Sequence, residues 1–302
     1  MKPDWITRAI GRHLVNLPAD ATLSETYTYN KVKVEPLPAK NRRHFDSLVD
    51  LREEELKRAP PPGKRKETSF LERVNLPNGS VVLISGYDPV AEYGYRFDTF
   101  FLIGSKAIKY SGDVSSKKRD LILKLHSELS EEWRELKLGE IPEGIGFVAG
   151  DVMMVDKLFN LESWELFVKF PGKPRVSFTL YGIAQRVLEP RLRERAGGAT
   201  GFLASILSGQ LILRNRARPV GPIDADEILA AGTQNGRRSY GFAWEAQGKK
   251  NSLAEPYLKA ELLDGIHDPE VGGPSSFKDD NEALALWDEI VGSIRLRPGA
   301  AG

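Results

Sequence analysis

Between residues 70 and 112 the chain runs through short alternating apolar and polar stretches, FLERVNLPNGSVVLISGYD (70–88), YRFDTFFLIG (95–104) and KAIKYSG (106–112), with links too short for a helical crossover. Asn78-Gly79 stands inside the first stretch, and both residues tolerate the positive φ that a tight hairpin turn demands. Strands joined by such links are antiparallel neighbours. The pattern returns after residue 144 in IGFVAGDVMMVD (145–156), SWELFVKF (163–170) and RVSFTLYGIA (175–184), then in LILRNRARPVG (211–221), RRSYGFAWEAQG (237–248) and PYLKAELLDG (256–265). Near the start, ETYTYNKVKVEPLP (25–38) alternates as one strand closed by two prolines.

Helical periodicity interrupts these runs at four places. Residues 40–58 place Phe45, Leu48, Val49 and Leu56 roughly on one side, and three successive prolines follow. Residues 115–139 place Leu121, Leu125, Leu129, Trp133 and Leu136 on one face, with Gly139 as the stop. A third helical region spans about 188–207 and is interrupted by GGATG. The last, EALALWDEIVGSIRLRPGA (282–300), has Ala283, Leu286, Trp287, Ile290 and Ile294 on one face. Arg295 and Arg297 fall in its final turn, where cations suit the carbonyl end, and Pro298 stops it. Trp287 is expected in the core and the two arginines in solvent.

The sum is an α+β chain of two domains, each a mainly antiparallel sheet with about two packed helices. A length of 302 residues favours two cores of about 150 each, and the change of pattern near 138–144 divides the chain into residues 1–140 and 141–302. With 41% apolar and 28% charged residues, both halves can bury a core. Forty-three basic residues against 42 acidic ones leave a net charge of +1, so no overall field draws the chain to nucleic acid or anionic lipid. No apolar run reaches the roughly 20 residues that span a bilayer. The opening MKPDWITRAI lacks the apolar core of a secretory signal, which leaves a cytoplasmic protein or the mature part of an exported one. The absence of cysteine removes disulfides, thiolate nucleophiles and thiolate-bound metals.

Chemistry is sparse. His13, His44, His126 and His267 have no metal-ligand spacing, and His126 reads as a solvated or satisfied side chain on a helix flank. Asp264, His267 and Asp268 form the densest polar group, and a hydrolase using them, or a cation held there, is the enzymatic alternative. Asp224, Asp226 and Glu227 resemble the opening of an oxygen-ligand loop but lack its glycine and distal glutamate, so helix or turn capping is expected. GIGFVAG (144–150) precedes a strand and lacks a phosphate-loop lysine. The basic pieces at 64–66, 116–119 and 215–218 are scattered, so nucleic acid is not an expected partner; neither is a cofactor or a metal. Tyr87, Tyr93 and Tyr95 surround a Pro/Gly loop, a composition favoured at protein interfaces. Arg237, Arg238 and Tyr240 follow the Asn235-Gly236 turn and complete the candidate partner-binding set.

Several segments in order resemble the immunity proteins that bacteria make against type VI secretion phospholipase (Tle-type) effectors. They are AIGRHLVNLPADATLS and YTYNKVKVE in the first half, then GFVAGDVMMVD, LRNRARPVGPIDADEIL, YGFAWEAQG and EALALWDEIVGSIRLRPGA. The resemblance implies a non-enzymatic inhibitor of two α+β domains that grips a secreted phospholipase one-to-one and blocks substrate entry. It also implies a periplasmic location, with membrane association arising only through an export or lipidation signal that this sequence lacks. Where relatives often carry cysteines, this chain has Ala9 and Val148, so a disulfide of relatives does not carry over. A periplasmic lipid-associated binding module is a further alternative.

Overall fold

The computed structural model describes residues 4–60, 69–86, 94–156, 159–196, 211–234, 237–264 and 275–302. The chain opens with a hairpin, β1 (Trp5–Ile10) and β2 (His13–Pro18), turned through Gly11 and Arg12. Gly11 has φ 55°, and a Cβ there would lie 2.2 Å from the Trp164 ring. Gly11→Ala combines a left-handed backbone with a clash inside a packed layer, and thermal or urea unfolding should register a loss of about 1–3 kcal/mol. Gly150→Ala is the milder control, because its Cβ would meet only Pro36, at 3.9 Å.

β3 (Thr22–Tyr29) and β4 (Val32–Leu37) form a second hairpin turned at Asn30 and Lys31, both at positive φ. The single strand expected over 25–38 is therefore two. Helix α1 (Arg42–Arg58) starts where the Asn41 side chain accepts the His44 amide, and it ends on Lys57 and Arg58, cations at the electronegative terminus. β5 (Phe70–Asn75), β6 (Val81–Gly86), β7 (Tyr95–Ile103) and β8 (Lys106–Val114) make the expected meander. Asn78 and Gly79 take φ 59° and 85° at its first turn, and the Asn78 carboxamide caps the Ser80 amide and hydroxyl.

Helix α2 (Arg119–Glu132) stops short of the expected 115–139. Trp133 opens the strand β9 (Trp133–Glu135), which pairs with β11 (Val152–Met154), itself the second arm of a hairpin with β10 (Phe147–Ala149). The buried side of α2 is His126, Leu129 and Ser130, whereas Leu121 is 63% exposed. β12 (Ser163–Phe170) and β13 (Lys173–Ile183) pair through a turn at Pro171 and Gly172. Helix α3 (Leu192–Ala196) is short, and the rest of the helical region expected to 207 lies outside the described residues.

β14 (Leu211–Ala217), β15 (Asp226–Gln234), β16 (Arg237–Ala246) and β17 (Tyr257–Asp264) form a second meander. The acidic stretch expected to cap a helix or turn thus starts a strand, because Asp226 and Glu227 pair with Glu245 and Trp244 across β16. Helix α4 (Asp280–Val291) begins where the Asp279 carboxylate accepts the Glu282 amide, and it ends at Gly292. The expected helix through Arg297 is corrected: β18 (Arg295–Leu296) pairs with β2, and Arg297 is fully buried rather than exposed. Each strand pairing named here is antiparallel, and the fold is the expected α+β.

The chain divides into two compact units, and neither is continuous in sequence. One comprises Tyr27–Glu140 and Gly146–Asp156. Its sheet has the order β4-β8-β7-β6-β5, with the Tyr27–Tyr29 end of β3 beside β4. Phe45, Val49 and Leu56 of α1 pack on Val81, Leu83 and Phe100 on one face. His126 of α2 meets Phe97, Phe101 and Tyr110 on the other, and there Phe147 of β10 packs on Tyr27 and Tyr29. Alternation along β7 divides its side chains between the two layers.

The other unit comprises Met1–Thr26, Ile141–Ile145 and Lys157–Gly302. Its sheet has the order β14-β15-β16-β17-β13-β12. Trp287 of α4 meets Phe178 and Phe242 edge-on, and its Nε1 donates to Glu227 at 3.1 Å. Leu192 of α3 packs with Ile228 and Ala243, which alternate onto the opposite face. The β1–β2–β18 layer is anchored by a buried polar network. Arg12 pairs with Glu162 at 2.8 and 3.0 Å and donates to the Ala300 carbonyl, while Arg297 donates to the carbonyls of Pro142 and Gly144.

Candidate partner-binding site

Tyr95, the first residue of β7, is half-buried, paired across the sheet with Gly86 and Val114. Tyr87 and Tyr93 lie outside the described residues. The second group opens β16. Arg237 is half-buried at the first position of the strand, across from Gln234. Arg238 holds Asp280 with two bonds, 3.0 and 2.8 Å, and also reaches Thr233. Tyr240 is buried, edge-on to Phe242 and Phe277, and its hydroxyl donates to Asp280 at 2.9 Å. The Arg238 bond holds the Asp280 carboxyl below its usual range, and burial, with Asp280 adding, pushes the Tyr240 hydroxyl up to about 12. Arg238, Asp280 and Tyr240 together fix the first turn of α4 to β16. Tyr240→Phe should cost about 1 kcal/mol in urea unfolding, the worth of one hydrogen bond, with partner affinity kept.

Of the three residues of the enzymatic alternative, the described residues include Asp264 alone. Asp264 is fully buried at the end of β17, where it accepts from Ser276 at 2.8 Å and burial raises its pKa; His267 and Asp268 lie outside the described residues. Among the described residues no three His, Asp or Glu side chains converge as a metal set. Asp224 and Asp226 are held by Arg191, and bonding to Arg191 lowers the Asp224 pKa. His126 is a satisfied core group, with its Nδ1 2.7 Å from the Thr99 hydroxyl.

An arginine-acid lattice on β14 escaped the sequence reading. Arg216 and Arg218 donate to the two oxygens of buried Glu227 at 2.8 and 3.0 Å. Arg214 takes Asp288 of α4 through two bonds, 2.7 and 2.9 Å, and Arg218 reaches Asp288 as well. Nearby, Asn16, Pro222, Glu289 and Arg295 line part of a groove of about 570 Å³ that also includes Asp288. The alternate spacing of Arg214, Arg216 and Arg218 was the available signal, since it places guanidinium groups on one side of β14 and just past its end, beside the acidic start of β15. The basic segment at 215–218 is thus matched by carboxylates and does not form a free cationic face for nucleic acid.

Ion pairs such as buried Arg12–Glu162 and part-buried Arg52–Asp98 belong to the interior of the two units, and among the described residues no metal-ligating set converges. Comparison with known proteins identifies the family. Residues 7–123 match the family model of the Tle cognate immunity protein 4 N-terminal domain, and residues 140–299 match that of its C-terminal domain. The chain belongs to the Tle cognate immunity protein 4 family. Among solved structures it is similar to the apo immunity protein TplEi of the T6SS from Pseudomonas aeruginosa, with 33% identity, 99% coverage of each chain and a TM-score of 0.88. A chain of the Tle4–Tli4 complex matches at 32% identity over 99% of this chain and 100% of that one, TM-score 0.88. TplEi complexed with an "L" peptide matches at 31% identity, with 99% and 100% coverage and a TM-score of 0.84. A search of curated proteins returned no match.

Proposed function

We propose that the chain binds a cognate phospholipase effector of the type VI secretion system one-to-one and holds it inactive by covering the entrance to its active site. The observation that carries this reading is the likeness along the whole chain to a protein solved in the Tle4–Tli4 complex. The protected cell and its kin escape lipid hydrolysis. The site of protection is the periplasm, the compartment from which phospholipid is reached.

Stable recognition of this kind buries at least about 1,200 Å² and rests on a few aromatic or arginine anchors. Tyr87, Tyr93, Tyr95, Arg237 and Arg238 are the proposed contacts, and Tyr240 supports Arg238 from the core. Size-exclusion chromatography of the purified chain with the phospholipase encoded beside it should give one peak at the mass of a one-to-one complex. Separate elution of the two proteins at micromolar concentration would refute the reading.

A further inference from the structure

We infer that this chain is a tandem duplication of one module, and that each module's leading hairpin completes the fold of the other module. In chain order the first module is β1–β2, β3–β4, α1, the meander β5 to β8, α2 and β9. The second is β10–β11, β12–β13, α3, the meander β14 to β17, α4 and β18. Sheet order follows the same rule in both. The first module's neighbours run β3-β4-β8-β7-β6-β5, and the second's run β12-β13-β17-β16-β15-β14.

The correspondence continues at single residues. Ile10 pairs with His13 and Ala149 with Val152, across two-residue turns whose first residue is a glycine at positive φ, 55° for Gly11 and 63° for Gly150. The closing strand meets the second arm in the same register: Arg295 opposite Leu14 and Leu296 opposite His13, Arg134 opposite Met153 and Glu135 opposite Val152. The Arg297 amide then donates to the Arg12 carbonyl at 2.9 Å, as the Leu136 amide does to the Asp151 carbonyl at 2.8 Å. One constant offset carries these closing-strand residues back into the helices, where His126, Leu129 and Ser130, the buried positions of α2, correspond to Trp287, Ile290 and Val291, three of the four buried positions of α4.

The exchange is visible in which pieces each unit contains. Hairpin 5–18 belongs to the unit built mainly from the second module, and hairpin 147–154 to the unit built mainly from the first. Charge fixes this choice. Arg12 at the first hairpin's turn is buried against Glu162, whereas Asp151 at the equivalent place is exposed and pairs with Lys106. An unexchanged chain would set Asp151 toward Glu162 and leave Arg12 without its buried carboxylate, and an unpaired buried charge is strongly destabilising. The docking surface formed by α4 and β18 is therefore specific for the hairpin of the other module.

The full chain has no cysteine, so paired cysteines report the arrangement directly. Facing residues on neighbouring strands fall within disulfide reach, and distant ones do not. Under mild oxidation the L14C/R295C chain and the R134C/M153C chain should each crosslink almost completely within one molecule, read by thiol titration and non-reducing electrophoresis. The unexchanged pairs, L14C/R134C and M153C/R295C, should keep their thiols. Circular dichroism of each variant identifies any that fails to fold, and either exchanged pair alone suffices for the test. Crosslinking of the unexchanged pairs, or disulfide-linked dimers from the exchanged ones, would overturn the inference. Because no effector is present, the outcome is independent of the proposed function.

Discussion

Acidification from pH 7 to pH 4 should cost the folded chain on the order of 3 kcal/mol at each of two histidines, one in each unit. His13 is fully buried, and its pKa is lowered to about 4 by burial first and then by the Arg12 and Arg297 charges. His126 is lowered to about 4 by burial among Phe97, Phe101 and Tyr110. A histidine whose folded pKa is depressed stays neutral in the fold while the unfolded chain takes up a proton near 6.5. Both contributions are therefore intact above pH 6.5 and are lost as pH falls from 6.5 toward 4. Urea unfolding across that range should show stability declining as pH falls, and His126→Gln should make the decline shallower. A flat profile between pH 6.5 and 4 would contradict the burial of both rings as neutral groups.

Trp287→Ala should destabilise the chain by about 3–5 kcal/mol, the cost of deleting a large buried aromatic side chain. Its ring is fully buried, with centroids 6.2 Å from Phe178 and 5.7 Å from Phe242. Glu227 loses the indole donor but keeps Arg216 and Arg218, so the packing loss dominates. The midpoint of urea unfolding measures this, and inhibition of the effector should fall only as far as the protein unfolds. A variant that stayed as stable as the parent but no longer bound its partner would place α4 in the interface instead of the core.

Short-range chemistry was legible in the sequence. Asn78-Gly79 turns as its residue types demand, and Trp287 lies in the core as helical periodicity requires. What failed was decided by distant partners. Trp133 follows Leu129 at helical spacing, so the pattern runs on smoothly, and pairing with Met154 is what makes it a strand. Arg297 looked like a solvated cation at a helix end, yet the carbonyls of Pro142 and Gly144, remote in sequence, satisfy it in the core. Asp226 and Glu227 resembled a cap until arginines from neighbouring elements matched them.

The candidate site divides in the same way. Tyr240 reads from the sequence as a partner contact because it follows the Asn235-Gly236 turn, yet it is buried, and its alternation with Phe242 and Trp244, which puts all three on one face of β16, was the signal for that. Its bond to Asp280, and the hold of Arg238 on the same carboxylate, depend on how α4 docks, and no local pattern encodes that. The division into discontinuous units was hidden for the same reason. A hairpin's residues specify its turn and alternation, while the helix that covers it is set by long-range complementarity such as that of Arg12 with Glu162.

Stoichiometric inhibition of a secreted phospholipase is tested most directly by a titration. Phospholipid hydrolysis by a fixed, well-quantified amount of the phospholipase encoded beside this chain should fall linearly as the chain is added and reach zero at one equivalent. Hydrolysis that persisted unchanged at a large molar excess of folded chain would contradict the account.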